Sequence, residues 1–194
     1  RIAMTVAIVD CGGENLRSVQ KAVEIHKMKA VITKDKARVS NASFVILPGV
    51  GSAQNVMQSL ESNNLIETIK SLTQPVLGIC IGMHVLFDRS EEQDTECMKI
   101  ISGDVKKFNS DCGFKVPQMG WNKVSFLKEQ TKVLDDYYYF ANSYYSQIFN
   151  QTIATAEHSV PFAAAIQKNN FLGCQFHPEK SSSAGRKFLK YFFN

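Results

Sequence analysis

The sequence predicts an α/β fold, a mainly parallel, doubly wound sheet with an antiparallel C-terminal extension. Three observations predict it. In the first half, short apolar runs suited to buried strands alternate with stretches of helical periodicity, the pattern of β-α-β units. From Val105 onward the runs are strand-like, separated by polar turns, and no long helix interrupts them, which points to antiparallel pairing. Two early runs end directly in glycine-bearing turns, Pro48-Gly49-Val50-Gly51 and Gly78-Ile79-Cys80-Ile81-Gly82. In a doubly wound sheet such turns at the carboxyl ends of strands form the ligand crevice, so the two should lie side by side.

Taken in order, Thr5–Val9 reads as a strand closed by Asp10 and the turn through Asn15. Leu16, Val19, Val23 and Ile25 or His26 then recur at helical spacing, with Asn15 in position to cap the helix. Residues 30–33 form a second strand, and the charged stretch 34–38 leads through a short helix or turn to a third strand at 44–47. Ser52 is placed to cap a helix through Leu60. Residues 75–79 form the next strand, followed by a helix over 83–87 and an acidic exposed loop over 88–94. The strand-like runs of the second half are 105–108, 116–126, 137–145, 153–156, 162–167 and 171–176. Ser181, Ser182 and Ser183 cap a closing helix through Phe193. The aromatic run 137–145 has little basic interleaving, so it reads as a packed strand rather than a platform for stacked bases.

The 194 residues suit one domain, spanning 4–194, with Arg1-Ile2-Ala3 ahead of Met4 set aside as an added leader. A net charge of +4, with no basic run longer than Lys106-Lys107, does not imply nucleic acid. No apolar run approaches membrane-spanning length. Five cysteines, none in a C-x-x-C pair, suggest free thiols and a reducing cytoplasm. The His, Cys and carboxylate residues show no metal-ligand spacing, so no metal is expected. His26 and His158 read as surface residues.

Chemistry concentrates at Cys80. Gly78-Ile79-Cys80-Ile81-Gly82 is the thiol form of the nucleophile elbow, in which a reactive side chain sits on a strained strand-to-helix turn. Its glycine neighbours leave room for that turn, and the following helix aims free N–H groups at the sulfur, which favours a thiolate. Taken alone, the motif also fits a buried structural cysteine. The second part of the pattern is His177-Pro178-Glu179. Proline keeps the residue before it extended, and residues two apart in an extended segment share a side, so Glu179 can orient the His177 ring. Cys80, His177 and Glu179 together describe a nucleophile, its base and the base's orienter. Gly49 to Gly51 and the N–H of Ile81 supply donors for an oxyanion. His84 lies one helical turn beyond Cys80 and can face the same site.

With G-x-C-x-G after one strand, P-G-V-G after an earlier one and H-P-E near the C-terminus, the chain resembles the class I (triad) glutamine amidotransferases from Val6 to the last helix. The resemblance implies a flavodoxin-like α/β fold, no cofactor, and hydrolysis of L-glutamine through a cysteine thioester. Asp10 with Asn15-Leu16-Arg17-Ser18-Val19, Met119-Gly120-Trp121-Asn122, and residues 175–182 are similar to one branch of that class. Its members are free-standing glutaminase subunits of histidine biosynthesis that pass ammonia to a (β/α)8-barrel cyclase in a heterodimer. The resemblance makes Cys80 the nucleophile, His177 the base and Glu179 its orienter, and gives the oxyanion hole to Gly49, Val50, Gly51 and Ile81. It implies that Glu92 holds the amino group of glutamine and that Ser143 and Tyr144 hold its carboxylate end. His84 and Asn142 fall beside the substrate, and Trp121, Asn122 and Lys180 face the partner.

Three departures stand out: His84 where the family usually has glutamine, Asn142 where it has histidine, and Cys11-Gly12-Gly13-Glu14 where it tends to Y-G-M-G. They leave the triad intact but open a second reading, a divergent copy that supplies ammonia to amidation of a surface-polysaccharide sugar. Two further readings, a silent scaffold domain and a cysteine hydrolase of the dienelactone or peptidase type, fit the complete triad and its His-Pro-Glu spacing less well. Two readings of His84 compete: it donates a hydrogen bond to the substrate's α-carboxylate, with affinity weakening as pH rises through neutrality, or it marks a reshaped site tied to a different partner.

Overall fold

The computed structural model describes residues 4–194, so the reading of residues 1–3 as an added leader lies outside the described residues. The chain runs β1 (Thr5–Val9), α1 (Leu16–Glu24), β2 (Lys29–Thr33), α2 (Lys36–Asn41), β3 (Phe44–Gly49), α3 (Ala53–Ser62), α4 (Ile66–Lys70) and β4 (Val76–Cys80). It continues with α5 (Ile81–His84), β5 (Arg89–Ser90), β6 (Thr95–Glu96), β7 (Asp104–Lys107), β8 (Gln118–Phe126), β9 (Asp136–Asn142) and β10 (Tyr144–Ser146). It ends with β11 (Thr152–His158), β12 (Val160–Lys168), β13 (Phe171–Cys174) and α6 (Ser182–Phe193).

The main sheet has nine strands in the order β2-β1-β3-β4-β13-β12-β11-β8-β9. From β2 to β13 the pairings are parallel, and from β13 to β9 they are antiparallel. The alternation of side chains along each strand divides the core. Val6, Ile8 and Ile46 pack on one face with Val19, Val23, Phe188 and Leu189 of α1 and α6. Ala7, Val9, Val45 and Leu47 pack on the other with Val39, Val56, Leu60 and Ile69 of α2, α3 and α4. The result is a three-layer α/β/α arrangement whose inner parallel strands β1, β3 and β4 are buried on both faces, as their apolar runs require, while the edge strand β2 leaves Lys29 exposed.

Four expectations need correction. The run 171–176 is not part of the antiparallel extension: β13 pairs parallel to β4 and antiparallel to β12, so it joins the two halves. The run 137–145 breaks in two. β9 stays in the main sheet, whereas β10 joins β7, β5 and β6 in a second, four-stranded sheet. The expected helix over 83–87 is a single turn that starts earlier, at Ile81. It stops because the backbone groups of residues 85–87 are taken by the incoming segment: Met98, Lys99 and Ile100 donate to the carbonyls of Val85, Phe87 and Leu86. The acidic stretch 88–94 is also more than a loop, since it contains β5 and a 3-10 turn over Glu92–Asp94.

Caps were legible only where the side chain has no other task. Ser52 Oγ accepts from the Asn55 N–H at 3.1 Å, as expected. Asn15 and Ser181 occupy cap positions without capping. His26 and His158 are half-buried rather than on the surface, and His158 Nε2 lies 2.8 Å from the Lys115 carbonyl.

Candidate active site

Register places the site. Gly49 at the end of β3 stands opposite Cys80 at the end of β4, and Ile79 stands opposite Cys174 at the end of β13. Three adjacent parallel strands thus end level, and the turns that leave them meet in one crevice. Cys80 adopts φ 54° and ψ −111°, a conformation that costs a residue with a Cβ about 1–3 kcal/mol. Ile79 and Met83, both essentially fully buried on either side of it, each contribute about as much through burial, so the core can hold the strained elbow. The two flanking glycines are required by close approach. A Cβ on Gly78 would collide with the Gly82 carbonyl, and one on Gly82 with the Leu47 carbonyl. Gly82→Ala therefore pushes backbone against backbone. It is expected to cost about 3 kcal/mol, the upper end of ordinary overpacking, and to lower Tm by roughly 6–12 °C in a domain of this size. A melting temperature within about 2 °C of the parent would contradict this packing.

His177 leaves β13 in extended conformation, at φ −98° and ψ 99°. Its N–H donates to the Tyr139 carbonyl at 2.9 Å, and its own carbonyl accepts from Ser181 Oγ at 2.6 Å. Ser181 Oγ in turn accepts from the Tyr139 N–H at 2.9 Å, so this serine clamps the histidine's backbone instead of capping α6. Glu179 reaches the ring by a different route from the one expected. Residues Pro178–Lys180 form a 3-10 turn rather than an extended segment, and it brings Oε1 to 2.7 Å from His177 Nδ1. A carboxylate only accepts, so Nδ1 carries a proton and Nε2 is left for the sulfur side. The Asn15 amide donates to the same oxygen at 3.0 Å. Burial alone would lower the pKa of His177, but the Cys80 sulfur, by charge and hydrogen bond, and the Glu179 carboxylate raise it well above the usual value. A protonated ring at this position is an arrangement that favours a thiolate on a neighbouring cysteine.

Beside Cys80 lies a cleft of about 260 Å³ whose wall includes Gly51, Ile81, His84, Glu92, Asn142, Ser143 and Tyr144. That volume suits a single amino acid. A larger recess of about 470 Å³, lined by Lys29, Arg38 and Asn41, contains no cysteine, histidine or carboxylate. Gly51, at φ +86°, and Ile81 reach the cleft wall, whereas Gly49 lies within β3 and the Val50 side chain covers Gly13. Glu92 Oε2 accepts from the Ala53 N–H at the start of α3 at 3.0 Å, which anchors the carboxylate and leaves its other oxygen for the cleft. Asn142 is buried with both ends engaged: its Oδ1 accepts from Gln118, and its amide donates to the Tyr144 carbonyl. It shapes the wall around Ser143 and Tyr144.

His84 differs most from its expectation. It is buried, and its Nε2 lies 2.7 Å from Gln175 Oε1. Burial lowers its pKa to about 4, a shift only partly offset by the Gln175 bond. The ring is neutral at physiological pH, so the expected loss of affinity through neutrality has no titrating group behind it.

Trp121 and Lys180 share an exposed face. Trp121 is 54% exposed beside the more exposed Met119 and Tyr137, and Lys180 Nζ lies 5.8 Å from the centre of the Tyr139 ring. Asn122 sits on the opposite side of the pleat, where its amide donates to Gln118 Oε1 and the Glu157 carbonyl. Sequence reasoning missed Asn15, Gln175 and Ser181 as parts of the site. Only Gln175, two residues before His177, carried a positional hint. Among the described residues, no group of three or more His, Cys, Asp or Glu could hold a metal ion, and no helix is long and apolar enough to cross a membrane.

The chain matches the glutamine amidotransferase class-I family over residues 7–194. It is 43% identical over 191 residues to the imidazole glycerol phosphate synthase subunit HisH of Pasteurella multocida, a match covering 96% of each chain. It shares 44% identity over 195 residues with the subunit of the same name from Salmonella typhimurium, covering 97% of this chain and 98% of that one. A solved structure of a glutamine amidotransferase aligns with a TM-score of 0.77 at 13% identity, over 97% of this chain and 96% of that one, a likeness of fold. Matches of this extent and identity mean that the chain belongs to the class I glutamine amidotransferases, in their HisH branch.

Proposed function

We propose that the chain is the glutaminase subunit of an imidazole glycerol phosphate synthase, with Cys80, His177 and Glu179 as its catalytic residues. The observation that carries this reading is the Glu179–His177 bond, with a His177 ring whose pKa the Cys80 sulfur helps to raise, beside a cleft sized for one amino acid. The Cys80 thiolate attacks the side-chain amide carbon of glutamine, forming a C–S bond. The resulting oxyanion is met by the N–H groups of Gly51 and Ile81, with Gly49 and Val50 shaping that loop. His177 gives its Nε2 proton to the leaving nitrogen, and ammonia departs. Water then gives a proton to His177 and attacks the thioester, the C–S bond breaks, and glutamate is released. Glu92 holds the substrate's ammonium group. Ser143 and Tyr144, backed by Asn142, hold its carboxylate end, and His84 packs beside them.

The ammonia passes to a (β/α)8-barrel cyclase that makes imidazole glycerol phosphate and AICAR in histidine biosynthesis. The exposed face carrying Trp121 and Lys180 suits that heterodimer contact, with Asn122 bracing it from behind. Five free thiols fit a reducing cytoplasm.

Ammonia release from glutamine tests the reading. The lone chain is expected to be a poor glutaminase, because the glycine-bearing oxyanion loop samples orientations with its N–H groups turned away. A liganded cyclase should raise the rate at least about tenfold, the factor that a barrier lowered by about 1.4 kcal/mol gives. Full activity without a partner would remove the switch. A chain stimulated only by a sugar-amidating synthase would move it to the polysaccharide reading.

A further inference from the structure

Gln175 is fully buried between β13 and His177, and its backbone is held by the N–H that donates to the Ala164 carbonyl at 2.9 Å. Its side chain bridges two groups of the site. Oε1 lies 2.7 Å from His84 Nε2, and Nε2 lies 3.6 Å from Cys80 Sγ. An amide oxygen only accepts, so the His84 nitrogen facing it must carry the proton. The other ring nitrogen, Nδ1, is then a bare acceptor, and it is buried without a partner.

We propose that Gln175 is a positioning residue for the nucleophile: His84 fixes its oxygen, so that its N–H group faces Sγ and favours thiolate over thiol. This rests on the reading of Cys80 as the nucleophile. The reverse orientation of the amide would set a carbonyl oxygen against the sulfur, which a thiolate repels. With its proton on Nε2, His84 favours the orientation that hands it the oxygen. The charged and titratable groups around Cys80 make such a donor useful. Among the described residues around the sulfur, His177 is the cation facing it. Glu179 stands behind the ring, Glu92 and Tyr144 line the same cleft, and the Cys174 thiol lies beneath, its pKa raised well above the usual value first by burial. The neutral state of His84 fits the relay, because a neutral ring has one N–H to give and gives it to Gln175.

Iodoacetamide labelling of the full chain, followed at the Cys80 peptide by mass spectrometry across pH, tests this. Gln175→Leu should raise the midpoint of the labelling curve by about one pH unit. Labelling below the midpoint then slows about tenfold, while the alkaline plateau is kept. Gln175→Glu should raise the midpoint further, because a carboxylate then faces the sulfur. His84→Leu, which frees the amide to turn, should give part of the shift caused by Gln175→Leu. His84→Gln, which restores a donor to Oε1, should bring the midpoint back. These His84 variants keep the test alive if a change at position 175 prevents folding. Parental midpoints in all variants would overturn the relay and leave the nucleophile standing. Labelling of Cys11 or Cys174 in place of Cys80 in the parent would instead overturn the nucleophile itself.

Discussion

Cys80→Ser is expected to reduce glutamine hydrolysis by at least about 10⁴-fold, the scale on which nucleophiles of catalytic triads act. The sulfur at this position is met by the His177 ring, whose pKa its charge helps to raise, and by the Gln175 amide. A serine hydroxyl keeps its proton under the same conditions, so the charged nucleophile of the proposed mechanism is lost, and with it most of the rate. Ammonia release in the presence of the cyclase measures the loss, and an unchanged melting curve shows that the fold is intact. The same argument predicts which thiol a glutamine-analogue chloroketone will label. Cys11 and Cys97 have pKa values pushed up to about 12, chiefly by burial, and the fully buried Cys174 thiol is raised as well. All three remain protonated and unreactive. Cys112 is exposed but lies on a 3-10 turn away from the cleft. Preferential labelling of Cys11 or Cys174 would refute the assignment.

The parallel half of this fold was readable because its signals are local. The strands from β1 to β4 are short, mainly apolar runs, and each is followed by a turn or helix with its own period. What sequence could not show is the partner of a strand that arrives late. β13 resembles its antiparallel neighbours in composition, yet it pairs with β4, almost a hundred residues earlier, and that non-local pairing brings His177 to Cys80. The break between β9 and β10 has a similar cause. Asn142 turns its amide onto the Tyr144 carbonyl and its oxygen toward Gln118, so one aromatic run is shared between two sheets.

The candidate residues Cys80, His177 and Glu179 stand out because two short motifs carry them, each with steric reasons for its spacing. The residues that position them do not. Asn15 and Ser181 bear the side chains favoured at helix starts, and sequence reasoning assigned them that task. In the fold they sit at those helix starts but spend their hydrogen bonds on Glu179 and on the His177 backbone. His84 was placed correctly by helical periodicity, but its chemistry depends on burial and on Gln175, 91 residues away. Spacing finds the face of a helix, whereas only packing decides whether a ring on that face is wet, charged or committed elsewhere.

Glu179→Gln should lower kcat about 10²–10⁴-fold and move the alkaline limb of the pH–rate profile to lower pH. The substitution keeps volume and an acceptor for Nδ1, so the loss is one of charge. Glu179 is among the groups that hold the His177 pKa above its ordinary 6.5. Without the carboxylate, the ring gives up its proton at a lower pH and can no longer supply it to the leaving ammonia. The sign of the stability effect follows from the same shift. A group with a raised folded-state pKa contributes stability that is fully present below its unfolded value and fades as pH rises through the folded one. The Tm difference between parent and variant should therefore be larger near pH 6 than in the alkaline range. Loss of charge on the neighbouring group also separates this variant from Asn15→Ala, which removes the 3.0 Å bond to the same carboxylate oxygen but leaves its charge. That variant should lose less than about tenfold, equivalent to one ordinary hydrogen bond, and keep the parental alkaline limb. A Glu179→Gln enzyme with the parental limb would mean that the carboxylate only orients the ring and does not sustain its charge.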